Sequence, residues 1–252
     1  MKPRPAEQGS KPTTSVVEDY LQILHYLTRD GCVVIAARLA ERMNVTPPTV
    51  TATLQRMERD GLIEHGPRKE VLLTEKGRRV AENIVRRHAL AERLLTDLLH
   101  MPWHESHEEA HGVEHALTPK IEARLLDALG NPTTCPHGNP IPGLGKLSAE
   151  EFPLDRAETG DELVIERITE EAEEDLQLMR YLQERGVEPG ARMTVREATP
   201  FNALLVLEGV LGPVPLGYPV AAKLRARRTQ RSGRNALRSL DSTRAGSRYW
   251  RW

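Results

Sequence analysis

The chain of 252 residues contains only two cysteines, Cys32 and Cys135. Two thiols so far apart in sequence build no disulfide framework, and they fit a reducing, cytoplasmic setting. Long apolar runs are missing as well. No stretch approaches the roughly 20 residues that a membrane span needs, so no membrane partner is expected. The N-terminal MKPRPAEQGSKPTTS lacks the apolar core of a secretory signal. A surplus of either charge is also absent. Lys plus Arg, 35, nearly balances Asp plus Glu, 36, so net charge does not advertise a nucleic-acid partner. Any such argument rests on where the charges lie. No internal repeat is present. Hydrophobic residues at 39% and charged residues at 28% are ordinary for a globular chain. The length allows one large domain or two to three small ones.

What is present is punctuated periodicity. Residues 1–12 are rich in Pro, Gly and Lys and read as disordered. Val16, Val17, Tyr20, Leu21, Leu24 and Leu27 recur at helical spacing up to about Arg29, with Ser15 as candidate cap and Gly31 as stop. A short helix over 35–43 follows, then a turn at Asn44-Val45-Thr46, then a helix from Pro47 to Asp60. Thr46 suits the cap of that helix and Pro47 its first position, where a missing N–H is harmless. Gly61 ends it. LIEH and VLLT flank a polar turn and read as a β-hairpin. Thr74 caps a long helix over 75–99; Pro102 separates it from a helix over 105–117; Thr118-Pro119 opens another that runs to Leu129. The Pro- and Gly-rich stretch near 131–150 reads as a linker, with Cys135-Pro136-His137 as loop spacer rather than ligand pair. Beyond it, ELVIERI, ARMTVREA, NALLVLEG and YPVAAKL read as strands around one helix, Glu170 to Arg185. That is a small β-barrel or SH3-like module, with peptide binding as a second reading. From Arg227 on, eight arginines face one acid, Asp241, and the tail reads as unfolded.

Helix, tight turn, helix and hairpin is the winged helix-turn-helix order, whose second helix enters the major groove N-terminal end first. Here that end is Thr46-Pro47-Pro48-Thr49-Val50-Thr51. Small hydroxyls approach phosphates and base edges closely, and a helix N-terminus favours phosphate. Gln55, Arg56 and Arg59 lie further along, and Arg68 and Lys69 sit at the expected wing tip, placed to neutralise phosphates. Two helices alone are a weak signal; a hairpin with a basic tip strengthens it.

His107, His111, Glu114 and His115 follow one another at spacings of four, three and one, and so share one stripe of a helix. His88 and Glu92 make another i, i+4 pair on the preceding helix. A lone histidine is usually structural. Four of the chain's nine histidines and two acids on adjacent helices point to a metal instead, and imidazole with carboxylate suits Mn, Fe, Zn or Ni. The stripe also spells two protease motifs, H-E-x-x-H over His107-Glu108-Glu109-Ala110-His111 and H-x-x-E-H over His111 to His115. They share His111, so they cannot be two separate sites. A zinc-dependent hydrolase is therefore the alternative function.

The stretches VEDYLQILHYL, TPPTVTATLQRMERDGLI, RRHALAERLLTDLL, HEEAHGVEH and GNPIPG, in this order, resemble the diphtheria-toxin-repressor family and its manganese-transport-regulator branch. The resemblance covers roughly residues 13–223. It implies a mainly α fold with small β parts: a winged helix-turn-helix over 13–74, a helical dimerisation and metal-binding domain over 75–130, a linker over 131–152, an SH3-like domain over 153–224 and a basic tail over 225–252. It implies a homodimeric repressor that binds a palindromic double-stranded DNA operator. The primary activating site would use Asp19, His111, Glu114 and His115; the ancillary site would use His88, Glu92 and His107, completed by Glu174 and Gln177. Iron-responsive members carry Met and Cys where this chain has Asp19 and His111. Manganese regulators carry Glu at the positions of His111 and Gln22. The hard oxygen of Asp19 makes Mn(II) the expected effector with Fe(II) as alternative, and Zn(II), Co(II) and Ni(II) are also able to occupy such sites.

Overall fold

A computed structural model describes residues 13–230. The expected disorder of residues 1–12 and the tail beyond residue 230 lie outside the described residues. The chain divides into two compact units at Arg87/His88.

The first unit opens with α1 (Ser15–Arg29), whose stripe Val17, Tyr20, Leu21, Leu24 and Leu27 is buried. Thr14 holds its N-cap position, so Ser15 is the first helical residue rather than the cap. Next come α2 (Ala36–Arg42) and α3 (Pro47–Arg59). Val50, Leu54 and Met57 of α3 point into the core at the i, i+4, i+7 spacing of an amphipathic helix. Gly61 then takes φ +69°, which only glycine adopts without cost. The hairpin consists of β1 (Ile63–His65) and β2 (Val71–Leu73), with Ile63 opposite Leu73. Val71 N donates to Val34 O at 2.8 Å, which ties the hairpin to the segment before α2. Thr74 Oγ1 accepts from Gly77 N (3.0 Å) and donates to Gly61 O (2.7 Å), fixing the start of α4 (Glu75–Arg93). A Cβ on Gly77 would lie 1.8 Å from Leu62 O, so the helix start requires glycine there.

In the second unit α4 ends at Arg93, and one π-turn, Leu94–Leu98, takes over where the sequence suggests an uninterrupted helix to Leu99. After it come α5 (Trp103–Glu114) and α6 (Pro119–Ala128), the latter capped by Thr118 Oγ1. The β module is one antiparallel sheet built from β3 (Phe152–Pro153), β4 (Glu162–Ile168), β5 (Arg192–Thr199), β6 (Leu204–Gly209), β7 (Gly212–Gly217) and β8 (Leu224–Gln230), in the order β3-β8-β4-β5-β6-β7. Leu163, Ile165, Val195, Leu205, Leu207, Val214 and Leu224 close its core.

Three expectations fail here. YPVAAKL is not a strand: Pro219 sits in the first turn of the short helix α9 (Tyr218–Ala221), where its lack of an N–H is harmless. The helix expected over 170–185 is two, α7 (Glu170–Glu173) and α8 (Leu176–Glu184), because the Asp175 side chain accepts from Gln177 N and Leu178 N and starts a new helix. The tail does not begin at residue 225. Arg225, Arg227 and Arg228 belong to β8, paired with β4, and ion pairs Arg227–Glu166 and Arg228–Asp161, both 2.8 Å, neutralise the arginines that made the segment read as unfolded.

Candidate metal centre and DNA-reading surface

On α3 the buried stripe leaves Thr46, Pro48, Thr49, Thr51, Gln55, Arg56 and Arg59 exposed. Their hydroxyls are locally paired. Thr46 Oγ1 and Thr49 Oγ1 share a hydrogen bond of 2.9 Å, and Thr51 Oγ1 donates to Pro47 O at 2.9 Å. Thr46 therefore occupies the cap position without capping a backbone N–H. Arg56 Nη2 donates to Thr14 Oγ1 at 2.7 Å, so this arginine has a structural duty besides any to DNA. Arg68 and Lys69 are exposed at the hairpin turn, and Lys69 takes φ +65°. Asp19 lies on α1, half-buried, in the first unit.

The metal-ligand candidates of the second unit converge. His88 and Glu92 sit one turn apart on α4, with His107, His111 and Glu114 on α5 and His115 at its end. His88 Nδ1 donates to Glu114 Oε2 at 2.6 Å, while its Nε2 lies 3.1 Å from His107 Nδ1 and 3.3 Å from Glu92 Oε1. The two expected sites are thus contiguous through His88. Glu114 Oε1 is buried and accepts no hydrogen bond. His115 Nε2 lies 3.5 Å from it and His111 Nδ1 3.7 Å. Ligand atoms each about 2.1 Å from a tetrahedral ion stand about 3.4 Å apart, so Glu114 Oε1 is near that spacing from each imidazole in turn. The ligand atoms around His111 that all lie within 4.8 Å of one another are those of His88, His107 and His111.

The buried carboxylate beside His107 lies one step of sequence before the expected Glu174. Glu174 and Gln177 are exposed. They straddle the break at Asp175, so no single helix presents them together. Glu173 is the buried one, with Oε2 2.9 Å from His107 Nδ1. The sequence reading also missed Cys135 and His137. Both are buried, and His137 Nδ1 lies 3.4 Å from Glu92 Oε1 and 3.4 Å from Glu173 Oε2. Glu92, Cys135 and His137 bring their ligand atoms within 4.8 Å of one another, as do Glu92, His107 and Glu173. The stretch 131–150 is therefore no mere spacer, although it holds no helix or strand. Its turn at Gly138 (φ +88°) packs so tightly on β4 that a Cβ would lie 2.3 Å from Glu166 O. The signal in the sequence was Cys-x-His followed directly by that glycine.

Charge explains the arrangement. Burial opposes the charged form of His88, but Glu92 and Glu114 outweigh it and lift its pKa to about 10. For His107, burial is likewise overcome by Glu173 and Glu92, to about 9. His137 is raised well above its ordinary value by Glu173 and Glu92 against burial. The imidazoles in turn hold the carboxylates ionised against burial: His137 and His88 act on Glu92, and His111 and His88 bring Glu114 down to about 2. Burial and Glu92 push the Cys135 thiol up to about 12. The cluster thus collects protons on nitrogen and sulfur around carboxylates. A divalent cation takes the place of such protons, and the set of three carboxylates, imidazoles and one thiol fits it.

The hydrolase motifs find no support in this geometry. Glu108, the base required by H-E-x-x-H, is exposed, whereas His107 is buried among Glu92, His88 and Glu173.

Comparison with known proteins agrees. Residues 12–71 match the model of the iron dependent repressor N-terminal DNA binding domain. Residues 74–143 match its metal binding and dimerisation domain, and 152–228 match the FeoA domain. The chain is 39% identical over 203 residues to the iron-dependent repressor IdeR of Mycobacterium leprae (strain TN), covering 76% of this chain and 88% of that one. It is 35% identical over 196 residues to the diphtheria toxin repressor of Corynebacterium glutamicum, covering 73% and 85%. A solved manganese-dependent transcriptional repressor in complex with manganese superposes with TM-score 0.74 at 30% identity, covering 84% of this chain and 99% of that one. Because the family models run in chain order through both the reading helix and the buried His–Glu cluster, the chain belongs to the iron-dependent repressor family and is a transcriptional regulator rather than an enzyme.

Proposed function

We propose that this regulator acts in the cytoplasm as a homodimer that binds a palindromic DNA operator in response to Mn(II), with Fe(II) as the second effector. The observation that carries the reading is the cluster itself. Glu92, Glu114 and Glu173 are buried and face imidazoles and a thiol, in a chain that also carries a DNA-binding domain. We assign Asp19, His111, Glu114 and His115 to the effector set, and the support for Asp19 is the sequence pattern. His88, Glu92, His107 and Glu173 form the ancillary set, with Cys135 and His137 as further ligands grouped with Glu92; Glu173 stands in for Glu174 and Gln177 of the sequence reading. A bound divalent cation supplies the positive charge that protons otherwise supply there. His88 couples the two sets, since one ring nitrogen faces Glu114 and the other faces Glu92. The domain bounds follow the sequence reading, except that the FeoA-like part extends through β8. Thr46, Pro48, Thr49, Thr51 and Gln55 of α3 are assigned to the major groove, and Arg59, Arg68 and Lys69 to phosphates; Arg56 serves DNA only if it leaves Thr14. Two-fold symmetry of the dimer sets half-sites about one helical turn, roughly 10 base pairs, apart.

Genomic fragments selected by the protein in the presence of Mn(II) provide the test. Fluorescence anisotropy on the selected fragment is expected to give at least about tenfold tighter binding with Mn(II) or Fe(II) than with chelator, the size of a typical effector coupling. Equal binding with chelator, or response to neither ion, overturns the reading.

A further inference from the structure

We propose that Asn139 and Arg167 are positioning residues, which hold the Glu173 carboxylate toward the metal cluster through a hydrogen-bonded chain running from the half-buried Glu151 through Arg167 and Asn139 to Glu173. The proposal deepens the ligand assignment above and rests on it.

Arg167 projects from β4 and is 2% exposed. A guanidinium removed from water needs its donors satisfied. Its Nε and Nη2 fork onto the Glu151 carboxylate at 2.8–3.2 Å. That bidentate geometry fixes the plane of the guanidinium. Nη1 donates to Asn139 Oδ1 at 3.0 Å. The Asn139 amide is thereby oriented without ambiguity, because its oxygen faces a donor and its nitrogen faces two acceptors. Asn139 Nδ2 donates to Ile168 O at 2.6 Å and to Glu173 Oε1 at 2.7 Å.

The consequence lies in the two oxygens of Glu173. Oε1 is taken by Asn139. Oε2 is left to face His107 Nδ1 at 2.9 Å and His137 Nδ1 at 3.4 Å. One oxygen is anchored and the other is presented to the cluster. A carboxylate held this way offers one ligand atom at a fixed place, which is what an outer partner of a metal ligand does. The backbone fixes the same parts. Ile168 N donates to His137 O (2.9 Å) and Cys135 N to Asn139 O (2.8 Å), so the turn that carries Cys135, His137 and Asn139 is clamped onto the end of β4. Arg167 reaches Glu173 through Asn139, and this makes the chain testable as a chain.

The test uses the full-length, metal-free protein carrying Cys32→Ser, so that Cys135 is the sole thiol. Co(II) is titrated in, and the sulfur-to-cobalt charge-transfer band in the near ultraviolet reports only metal in contact with Cys135. Asn139→Ala and Arg167→Met are each expected to move the midpoint of that band to about 10- to 100-fold higher Co(II), the usual cost of losing an outer partner of a ligand. The double variant is expected to match the larger single effect, because the two residues act in series. A Co(II) midpoint unchanged in both variants, with only the unfolding temperature lowered, overturns the proposal and leaves a structural ion pair. Effects that multiply in the double variant overturn the serial order. If Arg167→Met does not fold, Asn139→Ala together with Glu151→Gln, which frees the far end of the chain, decides the question by the same criterion. A parent protein that shows no charge-transfer band refutes the ligand assignment of Cys135, which is distinct from a band that the variants leave in place.

Discussion

Glu173 and Glu174 are neighbours in sequence and opposites in environment: one is buried against His107, and the other is exposed beside the break that starts α8. Glu173→Ala is therefore expected to weaken Co(II) binding at the Cys135 cluster by at least about tenfold, since losing a ligand costs no less than losing an outer partner. Glu174→Ala is expected to leave it within about twofold; equal effects in the same titration would contradict the placement. His25 gives a second residue-scale prediction, outside the cluster. Burial disfavours its cation, Arg29 and Arg78 add repulsion, Asp30 opposes them, and the pKa falls to about 4. The unfolded chain takes up this proton near pH 6.5 and the folded one only near pH 4, so the unfolded state binds more protons between them. Stability linked to His25 is complete above pH 6.5 and is lost as pH falls toward 4. The raised histidines of the cluster act elsewhere. Their contribution is intact below pH 6.5 and is lost as pH rises through about 9 for His107 and about 10 for His88. Urea unfolding of the chelated protein is expected to show a fall in midpoint from pH 6.5 to 5 that shrinks in His25→Gln, and an undiminished fall would remove His25 as its cause.

At the scale of elements, α5 carries two readings that a single substitution separates. Glu108 is exposed on it, so Glu108→Gln is expected to leave metal-dependent DNA binding unchanged, whereas loss of a metal-dependent peptidase activity in that variant would restore the hydrolase. The turn over 134–141 makes a sharper demand. At Gly138 the backbone has φ +88° and β4 leaves no room for a Cβ. Gly138→Ala is expected to cost of order 1–3 kcal/mol from backbone strain alone, read as a lower unfolding temperature of the chelated protein. It is also expected to abolish the Co(II)–thiolate band, because Cys135, His137 and Asn139 share that turn. These two elements show what the sequence reveals and what it conceals. Helices α1 to α5 were legible because each buries a stripe at the period of a helix, and His88, Glu92, His107 and Glu114 were legible because they repeat at that period. Cys135 and His137 follow no period: they reach the cluster through a turn held by glycine, by Arg93 donating to Thr134 O and Cys135 O, and by His137 donating to Trp103 O. Strand β8 was concealed for another reason. Its arginines look solvated until the acids of β4 and the turn before it are placed opposite them.

For the whole molecule, association and DNA binding are the properties to predict. Within the dimerisation domain, Leu95 and Leu125 are buried in the chain's own core, so they are unavailable to a second copy. Leu98 at the end of the π-turn, Leu99 after it and Ile121 on α6 are exposed in the same domain. Leu99→Glu is therefore expected to raise the monomer fraction in light scattering, whereas Leu95→Ala is expected to lower stability by about 2–5 kcal/mol as a cavity in the core. Dimerisation bears on DNA because one helix-turn-helix reads only half of a palindrome. The last prediction joins metal to DNA. If a cation held by Asp19, His111, Glu114 and His115 favours the conformation that binds the operator, linkage makes the effect reciprocal: operator DNA must tighten Mn(II) by the same factor by which Mn(II) tightens DNA. Both factors are measurable on one sample, the first by Mn(II) titration with and without operator, the second by anisotropy with and without Mn(II). Zn(II) is the informative control. Affinity for nitrogen and oxygen sites follows the metal series, so Zn(II) binds at least as tightly as Mn(II) whatever the effector is. A cation that binds both conformations equally shifts nothing, however tight. The effector is thus the ion with the larger coupling factor, not the smaller dissociation constant. Asp19→Ala is expected to bring the Mn(II) factor to about one while Mn(II) still binds the histidine cluster, and an undiminished factor would take Asp19 out of the effector set.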